Sequence, residues 1–499
     1  MGAKLLWVSR WERSSVLKRC RLKKLRYRYQ EELVGQDMAQ MQRIFYPRAV
    51  AVVGASSREG SFGGLYVQGL VQMGFPRIYP VNPKGGEMSG LKIYPSLKDI
   101  PDELDLVIVA TPPEAVLDLL RECTQRGVAG VAIYSSGFAE KGDEGKRMEA
   151  EMVKIARQGS TRLIGPNCMG IYCPAAKVTF SPRMSGGLPE LPHESGPVGL
   201  ICHSGSLASI TGRAAGVKGI RFSKVVSSGN ECDLNAADFL EYLGQDEETR
   251  IIAAYLEGMK EGRRFFQLAR TISRKKPIII WKGGVTERGA RAAASHTGAL
   301  AGSIGVWRAL VKQAGIISVN SAEELLDCIL AFYRLPLPRG RRVAIVSGPG
   351  GPAVGTSDAC IELGLELAEL SPRTRQRIAQ VAPPVGTSLD NPIDLGMGAS
   401  SAPHWYAESI KALAEDDNTD MLLVIGGSRA GLADMVMQMT REVGKPLAMA
   451  IIRPLELAVD EYRQLLEAGV ATYPDGRRAA KALAWLAQYR DYVEAARGN

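Results

Sequence analysis

One histidine, His296, stands in the run ARAAASHTGALAG with no large side chain near it. An imidazole neutral near pH 7 is a nucleophile, and once phosphorylated it gives the phosphoryl group up readily, so this setting suits a phosphoryl acceptor. Small neighbours let such a loop fit closely between other elements, and travel. A carboxylate on the other ring nitrogen would fix the tautomer, and Glu257, at the end of the apolar run IIAAYLEG, stands where such a partner is needed. Three further stretches join an apolar run to a helical pattern through Gly and Ser: GASSREGSFGG from Gly54, HSGSLAS around Gly205 and SGPGGPAV around Gly350. A helix starting after such a turn presents unpaired N–H groups and the positive end of its dipole, which makes an anion site. If the second and third turns point at one place, Ser204, Gly205, Ser206, Gly350 and Gly351 form a cradle for a dianion such as phosphate.

The first turn is not the GxGxxG dinucleotide fingerprint, and YPVNPKGG puts Asn82 and Lys84 where an acid would hold a ribose 2′-hydroxyl. That excludes an NAD-dependent dehydrogenase; a lysine there suits a phosphorylated ribose or a pyrophosphate. His203, inside the second turn, is a rival phosphoryl acceptor, although its place ahead of the helix favours a lining role. His193 falls in a Pro/Gly-rich linker and His404 in a polar loop, and neither is given chemistry. Cys168 could be read as a thioester-forming nucleophile, but no basic residue adjoins it in sequence to lower its pKa.

The elements that must carry these residues follow from periodicity. From Ala49 onward, short β-branched runs such as AVAVVGAS, RIYPVN, LDLVIVAT, GVAIYSS and RLIGPN alternate with helical spacing over 113–125 and 144–157. Continuous apolar strands separated by helices indicate a parallel sheet covered on both faces. The reading is an α/β chain of three units: a Rossmann-like domain over 41–180, a second α/β domain over 196–335 after the linker SPRMSGGLPELPHESGP, and a third over 340–490, followed by a helical tail. Length agrees, since 499 residues suffice for about three domains.

Charge sorts out what remains. Of the net +9, residues 1–37 carry +6, with ten Lys or Arg against four Asp or Glu, so the body is nearly neutral and is not expected to bind nucleic acid. The basic extension, 1–40, is read as a solvated helix or a disordered arm. The eight cysteines are scattered without a CxxC pair and there are only four histidines, so neither a disulfide framework nor a metal site is indicated. No apolar run reaches membrane-span length, and the expected location is the cytoplasm.

Taken together, VVGAS, VNPK, VIVATPPEAV, YSSGFAE, IGPNCMGI, HSGS, SSGNECDLNAADFLEYL, YLEG, SHTGALAG, SGPGGPAV and NPIDL resemble the NDP-forming acyl-CoA synthetases, relatives of succinyl-CoA synthetase, over roughly residues 45–490 in family order. The resemblance implies the α subunit of an ADP-forming acid–thiol ligase, with a Rossmann-like CoA-binding domain followed by two flavodoxin-like ligase domains. It implies CoA binding by Gly54, Ala55, Ser56, Ser57, Arg58, Lys84, Thr111, Pro112, Pro113, Ser136 and Gly137, with Asn167 on the route from the thiol to the acyl group. His296 would be phosphorylated, Glu257 would stabilise it, and the helices starting at Gly205 and Gly351 would hold phosphate. Acyl-CoA, phosphate and ADP would be interconverted with carboxylic acid, CoA and ATP through acyl phosphate and phosphohistidine. An ATP-grasp segment is not recognised, so Mg²⁺ and ATP or ADP are expected on a separate β subunit, in a hetero-oligomer. The competing reading is a non-catalytic CoA or acyl-CoA sensor or scaffold subunit, with His296 merely a loop residue.

Overall fold

Apolar runs four to six residues long, buried along most of their length, build three sheets that are parallel except at one edge of the second. The computed structural model describes residues 37–498 apart from 59, 181–188, 292–303, 384, 397, 400–401, 427–434, 437 and 440–441. His296, most of the basic extension and part of the expected linker lie outside the described residues.

The first sheet holds β1 (Val50–Val53), β2 (Ile78–Val81), β3 (Leu106–Val109), β4 (Gly130–Ile133) and β5 (Arg162–Ile164), all parallel in the order β2-β1-β3-β4-β5. The order reverses beside β1, so a crevice opens past its carboxyl end, where such sheets take ligands. The second sheet comprises β6 (Gly170–Tyr172), β7 (Val198–Cys202), β8 (Phe222–Ser227), β9 (Ile251–Leu256), β10 (Ile278–Lys282) and β11 (Ile317–Val319), ordered β11-β10-β9-β7-β8-β6. Its reversal lies at β7, so the residues following β7, β8 and β9 meet at one edge. The third contains β12 (Arg342–Ser347), β13 (Glu366–Leu367), β14 (Ile393–Asp394), β15 (Met421–Gly426), β16 (Leu447–Ile451) and β17 (Ala471–Tyr473), ordered β13-β12-β15-β16-β17 with β14 also beside β12. Five helices matter below: α1 (Phe62–Met73), α2 (Gly205–Val217), α3 (Ala322–Arg334), α4 (Gly350–Glu362) and α5 (Gly476–Arg497).

Four local expectations are revised. Residues 170–172 do not stay with the first sheet: β6 pairs antiparallel with β8, so the chain crosses directly into the second. The described part of the Pro/Gly-rich linker packs down, with Leu191 buried and Pro192 O accepting from the Tyr172 hydroxyl. His404 is not in a loop but in the helix Pro403–Glu415, started by Pro403 at a position where a missing N–H costs nothing. The expected helical tail is the end of a longer helix that starts inside the third domain: α5 buries Ala479, Ala480, Leu483, Leu486 and Ala487, and its first turn lies so close to α4 that a Cβ on Gly476 would fall 1.9 Å from Thr356 Oγ1. Alanine and glycine on that face permit the approach.

A buried acid ties the second and third sheets together. Asp327 of α3 is 2% exposed; its Oδ2 accepts from Arg478 Nε at 2.5 Å, and Lys218 Nζ, just past α2, stands 3.5 Å from Oδ1. Among the described residues no helix is long and apolar enough to cross a membrane.

Candidate active site in two adjoining cavities

The turn after β1 is shaped by close approach. Gly54 has φ +89°, and a Cβ there would sit 2.5 Å from Ala110 O; one on Gly63 would sit 2.3 Å from Gly54 O. Glycine is needed at both places because the turn is pressed between β3 and the start of α1. Ser61 caps α1 by accepting from Gly64 N–H, and Asn82 locks the turn, donating to Ala55 O at 2.9 Å while accepting from Lys84 N–H at 3.0 Å. Above this turn opens a cavity of about 530 Å³.

Of the residues expected to bind CoA, Gly54, Ser56, Arg58, Lys84, Thr111 and Ser136 line this cavity together. Arg58 and Lys84 are exposed, and neither has an acidic partner among the described residues, so two cations face an open space built around a helix N-terminus. Ala55, Ser57, Pro112, Pro113 and Gly137 are not on its wall. Ala55 serves through its carbonyl; Pro112 and Pro113 start the short helix Pro113–Ala115; Gly137, at φ +111°, gives its N–H to the Glu140 carboxylate.

A second cavity, of about 240 Å³, adjoins at the edge of the second sheet. Ser136, Asn167, Ser204, Gly205 and Ser206 line it, with Met169, His203, Gly229 and Asn230. Ser204 caps α2 by accepting from Leu207 N–H, and a Cβ on Gly205 would lie 2.6 Å from Met169 Cγ, so the helix start is held against the wall. The floor is tied across the domains: Asn230 donates to Glu140 at 2.7 Å and Glu149 at 2.8 Å, while Asn167 donates to Asn230 at 3.4 Å. The Glu of YSSGFAE therefore works as a brace, holding its own turn and the next domain's loop.

Gly350 and Gly351 are not brought to this cavity. They start α4 on the third sheet, where a Cβ on Gly350 would meet Asp394 Oδ2 at 2.5 Å. A carboxylate already stands at that helix start, and it discourages a second anion. Among the residues that line this cavity, those of α2 supply its helix start.

Glu257 directly follows β9 and is 8% exposed, gripped at three points. Its N–H donates to His203 Nδ1 at 3.2 Å, its carbonyl accepts from Lys282 Nζ at 2.7 Å, and its Oε1 accepts from the Tyr255 hydroxyl at 3.0 Å. Burial pulls the Lys282 ammonium down and pushes the Tyr255 phenol up, so the phenol remains a donor. His203 is itself 5% exposed, with Nδ1 taken up as an acceptor, and Nε2 lies 3.1 Å from Glu231 Oε1 without hydrogen-bond alignment. Neither nitrogen is open to a phosphoryl donor, which fits a lining and positioning role rather than that of rival acceptor. Sequence reading missed Lys282 and Tyr255; the signal was their place at the carboxyl ends of neighbouring strands. Cys168 is fully buried with its thiol pushed up to about 12, unsuited to attack. The His296 loop continues from residue 291, beyond β10, and returns at the helix Ile304–Ala314, so its described flank leaves the same edge of the sheet as Glu257.

Comparison with known proteins agrees with this division. The CoA-binding domain model matches residues 48–174, that of the succinyl-CoA-ligase-like flavodoxin domain 195–332, and that of the ligase-CoA domain 343–483. The chain is 38% identical, over 89% of its length and 96% of the relative's, to the α subunit of acetate–CoA ligase (ADP-forming) II of Pyrococcus furiosus. It is 35% identical to acetate–CoA ligase (ADP-forming) I of Archaeoglobus fulgidus, covering 64% of that longer chain. Among solved structures it matches the dinucleotide-forming acetyl-coenzyme A synthetase 1 of Ca. Korarchaeum cryptofilum in complex with phosphate and ADP, with TM-score 0.83, 34% identity and coverage of 91% of this chain and 98% of that one.

Proposed function

This chain belongs to the ADP-forming acyl-CoA ligases, as an α-subunit chain, and from that premise we propose how its two cavities divide the reaction. Overall, acyl-CoA, phosphate and ADP are interconverted with a carboxylic acid, CoA and ATP. The larger cavity holds CoA: Arg58 and Lys84 meet its phosphates, and the turn at Gly54 with the start of α1 supplies N–H groups. The smaller cavity holds the acyl group and inorganic phosphate, the latter at the N-terminus of α2 beside Ser204, Gly205 and Ser206. A phosphate oxygen attacks the thioester carbonyl carbon; a C–O bond forms, the C–S bond breaks, and the thiolate leaves and takes up a proton. A nitrogen of His296 then attacks phosphorus in the acyl phosphate, a P–N bond forms, and the carboxylate departs. Glu257, immobilised by His203, Lys282 and Tyr255, accepts a hydrogen bond from the imidazole and steadies its positive charge.

The single observation that carries this reading is the junction of the cavities: Ser136 lines both, and the phosphate-type helix start opens into the second. The last transfer, from phosphohistidine to ADP, would take place on an ATP-grasp β subunit, which would also supply the Mg²⁺ site. The longer Archaeoglobus relative, of which this chain spans 64%, has room for such a unit.

Incubation of the isolated chain with acetyl-CoA and labelled inorganic phosphate tests the proposal. The expected product is a base-stable, acid-labile protein adduct, since a P–N bond hydrolyses once the ring is protonated. No ATP is turned over until the partner and Mg²⁺ are added. A chain that stays unlabelled and only binds CoA would be the sensor instead. Separately, Lys84→Ala is expected to weaken CoA binding by about 1–2 kcal/mol in calorimetry, less than a buried contact because solvent screens an exposed ammonium. An unchanged affinity would move the CoA phosphates away from the β2 turn.

A further inference from the structure

We propose that Tyr134, backed by Phe62, is the threshold between the two cavities and grips the pantetheine arm of CoA where its thiol enters the acyl chamber. The inference rests on the reading of the larger cavity as the CoA site and adds the residue that sets the register of the bound cofactor. Tyr134 and Ser136 are the residues common to the two linings, and of these only Tyr134 has the bulk to form a partition. A cofactor whose nucleotide lies in one chamber and whose thiol reacts in the other must pass along its ring.

That ring is fixed from two sides. Phe62 stacks on it with centroids 4.5 Å apart and planes inclined by 33°, and Tyr66 meets it edge-on at 5.9 Å and 75°. Tyr66 is itself 3% exposed, and its hydroxyl donates to Met169 O at 3.0 Å, so the support reaches the wall of the acyl chamber. Phe62 is the anomaly that asks for a ligand. It is the first residue of α1, it lines the larger cavity, and it is 53% exposed, although Tyr66, Val67 and Leu70 of the same helix are buried in the core. Core packing gives no reason for an open aromatic face there, whereas the methylenes and flat amides of a pantetheine arm do. The chemistry is graded along the cavity: cations Arg58 and Lys84 face the phosphate end and aromatic carbon the uncharged end. Burial pushes the Tyr134 phenol up, so the partition stays neutral.

Calorimetry with two probes separates the threshold from the rest of the site: CoA, and adenosine 3′,5′-bisphosphate, which carries the nucleotide end without the arm. Tyr134→Ala is expected to weaken CoA about tenfold and to leave the bisphosphate within a factor of about two, because only the arm meets the ring. Tyr134→Phe, which keeps the ring, should restore most of the CoA affinity. In turnover, Tyr134→Ala should raise KM for acetyl-CoA more than it lowers kcat. If Tyr134→Ala does not fold, Phe62→Ala removes an exposed side chain and carries the same expectation in smaller measure. Equal weakening of both probes, or no weakening of either, overturns the threshold. A wild-type chain that binds neither probe overturns the CoA reading itself, and the threshold with it.

Discussion

His296→Ala is expected to lose the phosphoenzyme altogether and to lower acyl-CoA synthesis by at least about 10³-fold, the scale on which removal of a covalent catalyst acts. Labelling should vanish from both directions, whether the phosphoryl group comes from acetyl-CoA plus phosphate or from the partner with Mg-ATP. CoA affinity should not change, because Arg58, Lys84 and the turn at Gly54 belong to the first sheet, and His296 lies in sequence between β10 and β11 of the second. The measurement pairs an acid-lability assay with calorimetry on one preparation. Wild-type rates in the variant would remove His296 from the mechanism and leave a sensor as the better account. A parallel loss of CoA binding would instead show that the substitution had disturbed the fold.

Asp327→Ala is expected to cost about 3 kcal/mol of stability in denaturant unfolding, at the low end of what breaking a buried ion pair costs because Arg478 is one-third exposed. The substitution leaves the Arg478 guanidinium and the Lys218 ammonium without the carboxylate that both face, between α2, α3 and α5. The loss should be largest at the seam between the second and third sheets, so α5 amides should exchange with solvent before those of the first sheet. An Asp327→Ala chain as stable as the wild type would mean that apolar packing of α5 alone secures the seam.

Much of the fold is written in local signals. Runs such as VAVV and MLLVIG are buried from end to end, so their lack of alternation correctly announced parallel strands, and the Gly/Ser turns marked the switch points. Glu257 stood out because a lone acid after an apolar strand has little structural reason to be there, and the structure buries it between two donors, Lys282 and Tyr255, and one acceptor, His203. What escaped was carried by contacts between residues far apart in sequence. The pairing of Phe62 with Tyr134, the brace from Glu140 to Asn230 and the clamp of Asp327 on Arg478 each span 70 residues or more. Periodicity has no access to such pairs. The surroundings of Gly350 escaped for another reason: Asp394, which stands beside that helix start, is brought in by β14, a two-residue strand too short to give a pattern.

The crossing at residues 165–172 bears on what a piece of this protein could be. The first sheet ends at Ile164, yet Asn167 and Met169, on the wall of the smaller cavity, come afterwards, on the stretch that becomes β6 of the next sheet. A fragment cut at the end of the first sheet would keep the larger cavity but leave part of the smaller one on the other piece. One cut after β6 would carry an edge strand whose partner, β8, is missing. The two halves share a wall, so neither piece carries the whole of the smaller cavity.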